Sequence, residues 1–336
     1  TVGSVCINEI KNIIITIFSA VAVINGDLTL GAMISIQYII GQMHGPMMQL
    51  VGIAQQLQSV RISIERLDEV LERKNEEDDN TQYTPVPNNP QDIIFDHVDF
   101  TYGSPRSKLV LHNLNFKIPA GMTTAIVGLS GSGKTTAIKL MLGFYPPLRG
   151  NVYVGNTKLS KYSFKDWRKN CGVVMQDGFI FTDTIAANIA AGFENIDTIR
   201  LQQSARMANI EDFVNKLPLK YDTIVGKSGM GLSHGQRQRL LIARVLYKNP
   251  EYVFLDEATN SLDAKNEHQI VDYLNTFLKG KTVVIVAHRL STVCHADNIL
   301  VMKDGEIAEQ GNHQQLVTQK GAYYELVKEQ LQLSSE

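Results

Sequence analysis

The segment Gly128-Leu129-Ser130-Gly131-Ser132-Gly133-Lys134-Thr135 constrains this chain more than any other. It fits GxxxxGK[ST], a loop that wraps phosphates in backbone N–H groups. An apolar run, Thr124-Ala125-Ile126-Val127, precedes it, and a helix-like stretch from Lys134 to Leu142 follows. A glycine turn ahead of a helix would satisfy the pattern alone. The strand–loop–helix context is what turns it into a phosphate site. The glycines let the backbone curl until its N–H groups converge, and the helix N-terminus adds positive potential there. Lys134 is expected to reach β/γ-phosphates, and the Thr135 hydroxyl to ligate Mg²⁺.

Three further apolar runs end in polar groups. Gly172-Val173-Val174-Met175 leads to Gln176, Tyr252-Val253-Phe254-Leu255 to Asp256-Glu257, and Thr282-Val283-Val284-Ile285-Val286-Ala287 to His288. Near-continuous Val/Ile/Leu strands are what a parallel sheet buried on both faces requires. Ligands bind such sheets at the carboxyl ends of the strands, so these groups are predicted to converge on the phosphate loop. Asp256 can hold Mg²⁺ through water, and Glu257 beside it can polarise a water for in-line attack. An isolated Asp-Glu pair would ordinarily be a solvated strand end. Four strand ends in agreement weigh against that.

Leu232-Ser233-His234-Gly235-Gln236, taken with the phosphate loop, resembles the nucleotide-binding domain of the ATP-binding cassette (ABC) family. In that family an LSGGQ motif closes over ATP from the opposite subunit. The resemblance spans Asp92 to Glu329 and implies an α/β fold. The implied fold is a P-loop NTPase with a RecA-like core, an antiparallel β subdomain and a helical subdomain. It also implies roles. Tyr102, in Val98-Asp99-Phe100-Thr101-Tyr102-Gly103, would stack on adenine. Gly128, Ser130, Gly131, Ser132, Gly133, Lys134, Thr135 and Thr136 would hold ATP, and Thr135, Gln176 and Asp256 would hold Mg²⁺. Glu257 would be the catalytic glutamate, Gln176 the sensor of Mg²⁺ and attacking water, and His288 the switch histidine near the γ-phosphate. Ser233, Gly235 and Gln236 would act on the ATP of a second subunit, and Ser261-Leu262-Asp263 would touch that subunit. Tyr102 or His288 alone would read as an ordinary aromatic or histidine; position gives each its role. Trp167 reads as a packing residue. Two departures stand out: His234 replaces the usual first glycine of the pair, adding bulk and a donor, and Lys227 replaces a commonly acidic residue at the transmembrane-domain contact.

Composition excludes other classes. A chain of 336 residues supports about two domains. Its formal net charge of −2 gives no basic field, so no nucleic-acid partner is expected. Three scattered cysteines, Cys6, Cys171 and Cys294, form neither a disulfide framework nor a zinc site and fit a reducing cytoplasm.

The N-terminal part is a different material. Ile13 to Ile24 and Leu28 to Ile40 are nearly apolar, with the turn signal Asn25-Gly26-Asp27 between them. Each run is shorter than the ~20 residues of a complete membrane span, so hydropathy alone leaves buried soluble helices equally open. Three features favour a transmembrane hairpin. Lys11, Arg61, Arg66 and Arg73 flank its open side while the turn carries no cation, which fits cytoplasmic open ends. The second run continues to about Leu71, long enough to cross and project beyond the membrane. Gly26-Asp27-Leu28-Thr29-Leu30-Gly31 resembles the turn between the last two transmembrane helices of ABC exporters.

The expected domains are therefore a transmembrane part over 1–72, a linker over 73–91 and an ATPase over 92–336. The linker, with Glu76-Glu77-Asp78-Asp79-Asn80 and then Pro85, Pro87 and Pro90, reads as solvated spacer. This order resembles an exporter half-transporter. Within exporters, the N-terminal segment and Trp167 through Asp177 look like bacterial peptide or bacteriocin exporters. The chain opens on Thr1 and reads as a fragment of a longer protein. The resemblance implies ATP and Mg²⁺, a second half-transporter (a homodimer), membrane lipid and a transported substrate such as a peptide as partners. It also implies a multi-pass place in the bacterial cytoplasmic (inner) membrane, with the ATPase on the cytoplasmic side. A soluble ABC ATPase with a partner-binding helical hairpin is the alternative, and an ATP-holding regulatory module a second.

Overall fold

The computed structural model describes residues 2–333 except 73–74, 78–80, 104–106, 228, 258–272, 275 and 288–292, with the side chains of 2–8, 44, 70 and 330–333 also outside it. It divides into two compact units, Thr1–Glu76 and Glu77–Glu336.

The first unit is a helical hairpin, α1 (Val2–Ile24) and α2 (Leu30–Leu71). Gly26, at φ 84°, makes the turn, and the Thr29 hydroxyl caps α2 by accepting the Ala32 N–H. At ~1.5 Å per residue, α2 is about 60 Å long, and it runs through Pro46 without ending. Gln37 Nε2 donates to Thr16 Oγ1 at 3.3 Å between the helices. Large apolar side chains face outward along both, among them Phe18, Leu50 and Leu71. Among the described residues, no helix is long and apolar enough to cross a membrane.

The second unit is an α/β domain whose described residues form two large sheets and one two-stranded sheet. The antiparallel sheet runs in the order β2 (Leu111–Ile118), β1 (Ile93–Phe100), β4 (Arg149–Val154), β5 (Thr157–Lys158). The larger sheet follows the order β12 (Glu306–Gly311), β11 (Asn298–Lys303), β3 (Thr123–Val127), β10 (Thr282–Val286), β9 (Tyr252–Asp256), β6 (Cys171–Val174). All its neighbours pair in parallel except β11 and β12. Every residue of β9 is buried, as a central strand covered on both faces must be. Register aligns the strand ends: Val286 lies opposite both Asp256 and Ile126, and Leu255 opposite Val174. The ends of β3, β10, β9 and β6 thus form one edge.

Helix α3 (Lys134–Met141) and Trp167 of α4 (Phe164–Lys169) share one core with residues of both large sheets. Trp167 is fully buried and donates its Nε1–H to the Met141 carbonyl at 2.8 Å, a packing residue as its sequence context suggested. On the opposite side α5 (Ile185–Ile189), α6 (Thr198–Met207), α7 (Glu211–Asn215) and α8 (His234–Lys248) share a core with β6, β9 and β10. The short strands β7 (Asp183–Thr184) and β8 (Ile224–Val225) pair beside them. A third core joins β11 to the C-terminal helices α9 (His313–Gln319) and α10 (Ala322–Leu333).

The segment expected to be solvated spacer is fastened to this unit. The Glu77 carboxylate accepts from Ser163 Oγ at 3.0 Å and from the Lys165 N–H at 2.8 Å. Thr84 N–H donates to the Lys161 carbonyl, and Gln91 N–H to the Tyr252 hydroxyl at 2.6 Å. Polar composition excluded a packed helix here but said nothing about these single bonds to distant backbone.

Candidate functional site

The phosphate loop is shaped by what its glycines avoid. Gly128, at φ 150°, has so little room that a Cβ would lie 2.1 Å from the Met302 carbonyl oxygen. Gly133, at φ 100°, begins α3 where a Cβ would meet Leu111 Cδ2 at 2.5 Å. Both demand glycine through backbone angle and contact together. Lys134 is 6% exposed, and its Nζ donates to the Gly128 and Leu129 carbonyls at 2.8 Å each. Burial lowers its pKa, while the charges of Glu257 and Asp256 pull it back up. The ammonium is therefore parked on the loop's own carbonyls, poised for a stronger acceptor.

In the same first turn of α3, the Tyr102 hydroxyl and Thr136 Oγ1 lie 3.1 Å apart. The ring stands edge-on to Phe100 and Tyr145, with centroids at 4.9 and 5.3 Å, and it is 40% exposed. One helix thus carries the phosphate lysine and a pin for the aromatic expected to hold a base. The tie through Thr136 and the support from Tyr145 were not legible in the sequence, because each joins separate segments.

Asp256 ends β9 and is 1% exposed, with its Oδ2 buried and without a hydrogen-bond partner. Burial raises its pKa; a Thr135 hydrogen bond and Lys134 oppose that shift, and Glu257 adds to it. Ser132 Oγ is likewise buried and without a partner. Such orphaned polar atoms beside a glycine cradle fit a phosphate–cation ligand that would satisfy them. Among the described residues no group of three or more His, Cys, Asp or Glu could hold a metal. One carboxylate with a hydroxyl, an amide and substrate phosphates is the donor set that suits Mg²⁺.

Glu257 sits at φ 52°, in the left-handed region, at a cost of roughly 1–3 kcal/mol for such a side chain. Two backbone bonds hold it there. Its N–H donates to the Val286 carbonyl at 3.0 Å, and its carbonyl accepts from Gln238 Nε2 at 2.8 Å. Gln176 is exposed in the turn beyond β6. His288, with Ser261, Leu262 and Asp263, lies outside the described residues.

Ser233 is the N-cap of α8 and His234 its first residue, both exposed. Ser233 Oγ accepts the Gln236 N–H at 3.2 Å while Gln236 Oε1 accepts the Ser233 N–H at 2.9 Å, a complete capping box. The Gln236 side chain, expected to act on nucleotide, is thus engaged in its own helix end. Gly235 follows within the first turn, and Lys227 is exposed. Deeper along α8, Arg244 donates to the Asn188 and Phe179 carbonyls at 2.8 and 3.1 Å, and burial lowers its pKa to about 10. Gln238 and Arg244 were invisible to motif reading, since neither residue type nor spacing announces a bond to a remote carbonyl.

Residues 111–260 match the family model described as ABC transporter. The chain is 39% identical over 327 residues to the alpha-hemolysin translocation ATP-binding protein HlyB of Escherichia coli, covering 96% of this chain and 46% of that protein. It is 38% identical over 340 residues to the leukotoxin translocation ATP-binding protein LktB of Mannheimia glucosida, covering 99% and 47%. A solved bacterial Atm1-family ABC exporter with ATP bound is 33% identical, with a TM-score of 0.74, covering 98% of this chain and 57% of that one. The chain spans about half the length of the relatives it matches.

Proposed function

We propose that this chain, whose residues 111–260 match the ABC transporter family model, is part of an ABC exporter driven by ATP hydrolysis. The observation that carries this reading is the single edge where β3, β9 and β6 end: Asp256 closes β9, Glu257 follows it, Gln176 lies in the turn after β6, and Lys134 opens the helix after the β3 loop. The relatives' names, hemolysin and leukotoxin translocation, favour a polypeptide as the exported substrate. Two copies would form two nucleotide sites, each pairing Lys134 of one with Ser233 of the other. The outward apolar side chains of α1 and α2 support insertion of the hairpin in the bacterial cytoplasmic membrane, with the ATPase unit on the cytoplasmic side.

The residues divide the work. Loop N–H groups and the start of α3 bind phosphate oxygens, and Lys134 moves its ammonium from the Gly128 and Leu129 carbonyls onto them. Tyr102 stacks on the base. Thr135, Asp256 and Gln176 would hold Mg²⁺, which supplies charge compensation for the phosphates. Glu257 orients a water in line and accepts its proton, and His288 steadies the γ-phosphate side.

The test is Glu257→Gln in the full-length protein. Retained ATP binding with turnover lowered at least ~10²-fold is expected, the scale of losing a positioned general base. Near-parental phosphate release would reject the reading. Detergent dependence of the same preparation separates an exporter from a soluble ABC ATPase.

A further inference from the structure

We infer that Gln238 is a positioning residue for Glu257, tying the general base to the helix that begins at Ser233. The inference rests on the ATPase reading above and adds to it a residue outside every motif. Gln238 is 5% exposed, the fifth residue of α8, and its amide donates to the Glu257 carbonyl at 2.8 Å. Glu257 adopts a backbone conformation that side-chain-bearing residues rarely hold unaided. The Val286 carbonyl fixes the N–H side of that residue from β10; Gln238 fixes the carbonyl side from α8. With both peptide units anchored, the direction of the Glu257 Cα–Cβ bond is set. A carboxylate that must meet a water in line with a phosphate needs that direction held closely.

The helix supplying this bond is itself firmly placed. Arg244 holds it to the Phe179 and Asn188 carbonyls in and after the loop beyond Gln176. Lys248 donates to the Arg168 and Cys171 carbonyls at 2.6 and 2.8 Å. A Cβ on Gly178 would press on Leu241 Cδ1 at 2.2 Å, so this loop lies directly against the helix. Helix α8 therefore bonds to the Glu257 backbone, the loop beyond Gln176 and the base of β6. Displacement of its Ser233 end by a ligand would reach Glu257 through one hydrogen bond. The placement of the general base would then depend on what the Ser233 end of α8 touches.

The experiment compares Gln238→Met, which keeps length but removes the donor, with Gln238→Glu, which keeps shape and replaces the amide by acceptor oxygens. ATP hydrolysis and binding of a fluorescent ATP analogue are measured in the full-length protein, alongside Glu257→Gln and the Glu257→Gln/Gln238→Met pair. Expected is a kcat loss of roughly 10- to 100-fold, the range for sub-ångström to ångström misplacement of a reacting group. Nucleotide affinity should change less than about twofold, and the double variant should be no slower than Glu257→Gln, because both act through one carboxylate. Unchanged kcat in both Gln238 variants, or a further multiplicative loss in the double variant, overturns the inference. So does loss of nucleotide binding in both, which would make Gln238 a folding residue. A Glu257→Gln protein that hydrolyses normally instead defeats the ATPase reading beneath it.

Discussion

At the scale of single residues, the site is made by side chains whose roles depend on being held. Tyr102 is the clearest case, because Thr136, Phe100 and Tyr145 fix its ring while leaving it open to solvent. Replacing it by alanine should weaken ATP binding by ~1–3 kcal/mol, the range for one base–aromatic stack, with turnover at saturating ATP little changed. Titration with a fluorescent ATP analogue measures the first and phosphate release the second. Equal affinities in mutant and parent would reduce Tyr102 to a strand residue. Most of this was legible in the order of motifs: the loop glycines, Lys134 and Asp256 announce themselves by pattern. Gln238 and Arg244 do not, because a buried donor to a remote carbonyl leaves no periodicity behind. Nor did the pattern say that Gln236 would turn its amide on Ser233.

At the scale of elements, strands were read more securely than connections. The Val/Ile/Leu runs of β3, β6, β9 and β10 need burial on both faces, and that requirement is visible in composition. Helix α2 continued past Gly45-Pro46 as its run of apolar residues suggested, whereas the following polar stretch was read only as spacer. Glu77 corrects that picture through a partner 88 residues away, a separation no local rule reaches. The Lys165 N–H, with help from Ser163, holds its carboxyl below the usual carboxylate range against an opposing desolvation effect. A depressed folded pKa means the contribution is present above the ordinary Glu value and lost as pH falls through the lowered one. Glu77→Gln should therefore flatten part of the acid-side decline in thermal midpoint. The difference between the two melting curves across the carboxylate range isolates this group. A difference independent of pH would show that the ionised form of Glu77 contributes nothing.

At the scale of the whole molecule, two materials share one chain. Among the described residues, the unit Glu77–Glu336 has three buried cores, and the unit Thr1–Glu76 turns most of its large apolar side chains outward. A hydrophobic surface of that extent is disfavoured in water unless lipid or protein covers it. Produced separately, residues 77–336 should be soluble without detergent and unfold in one cooperative transition, while residues 1–76 should need detergent or lipid to stay dispersed. Size-exclusion chromatography with and without detergent, joined to thermal melting of the larger piece, checks both halves. Aggregation of the 77–336 piece would show that its cores are incomplete without the hairpin.

The left-handed backbone at Glu257 also gives this domain a direction of decay. Glycine and asparagine rest in that conformation more readily than glutamate. A change to either one therefore relieves the backbone while removing the carboxylate. A lineage freed from any need for hydrolysis would drift toward such residues with nothing to oppose it. Its descendants would keep the fold, gain a little sturdiness and lose the reaction, so that in this architecture a silent relic outlasts a working copy on heating.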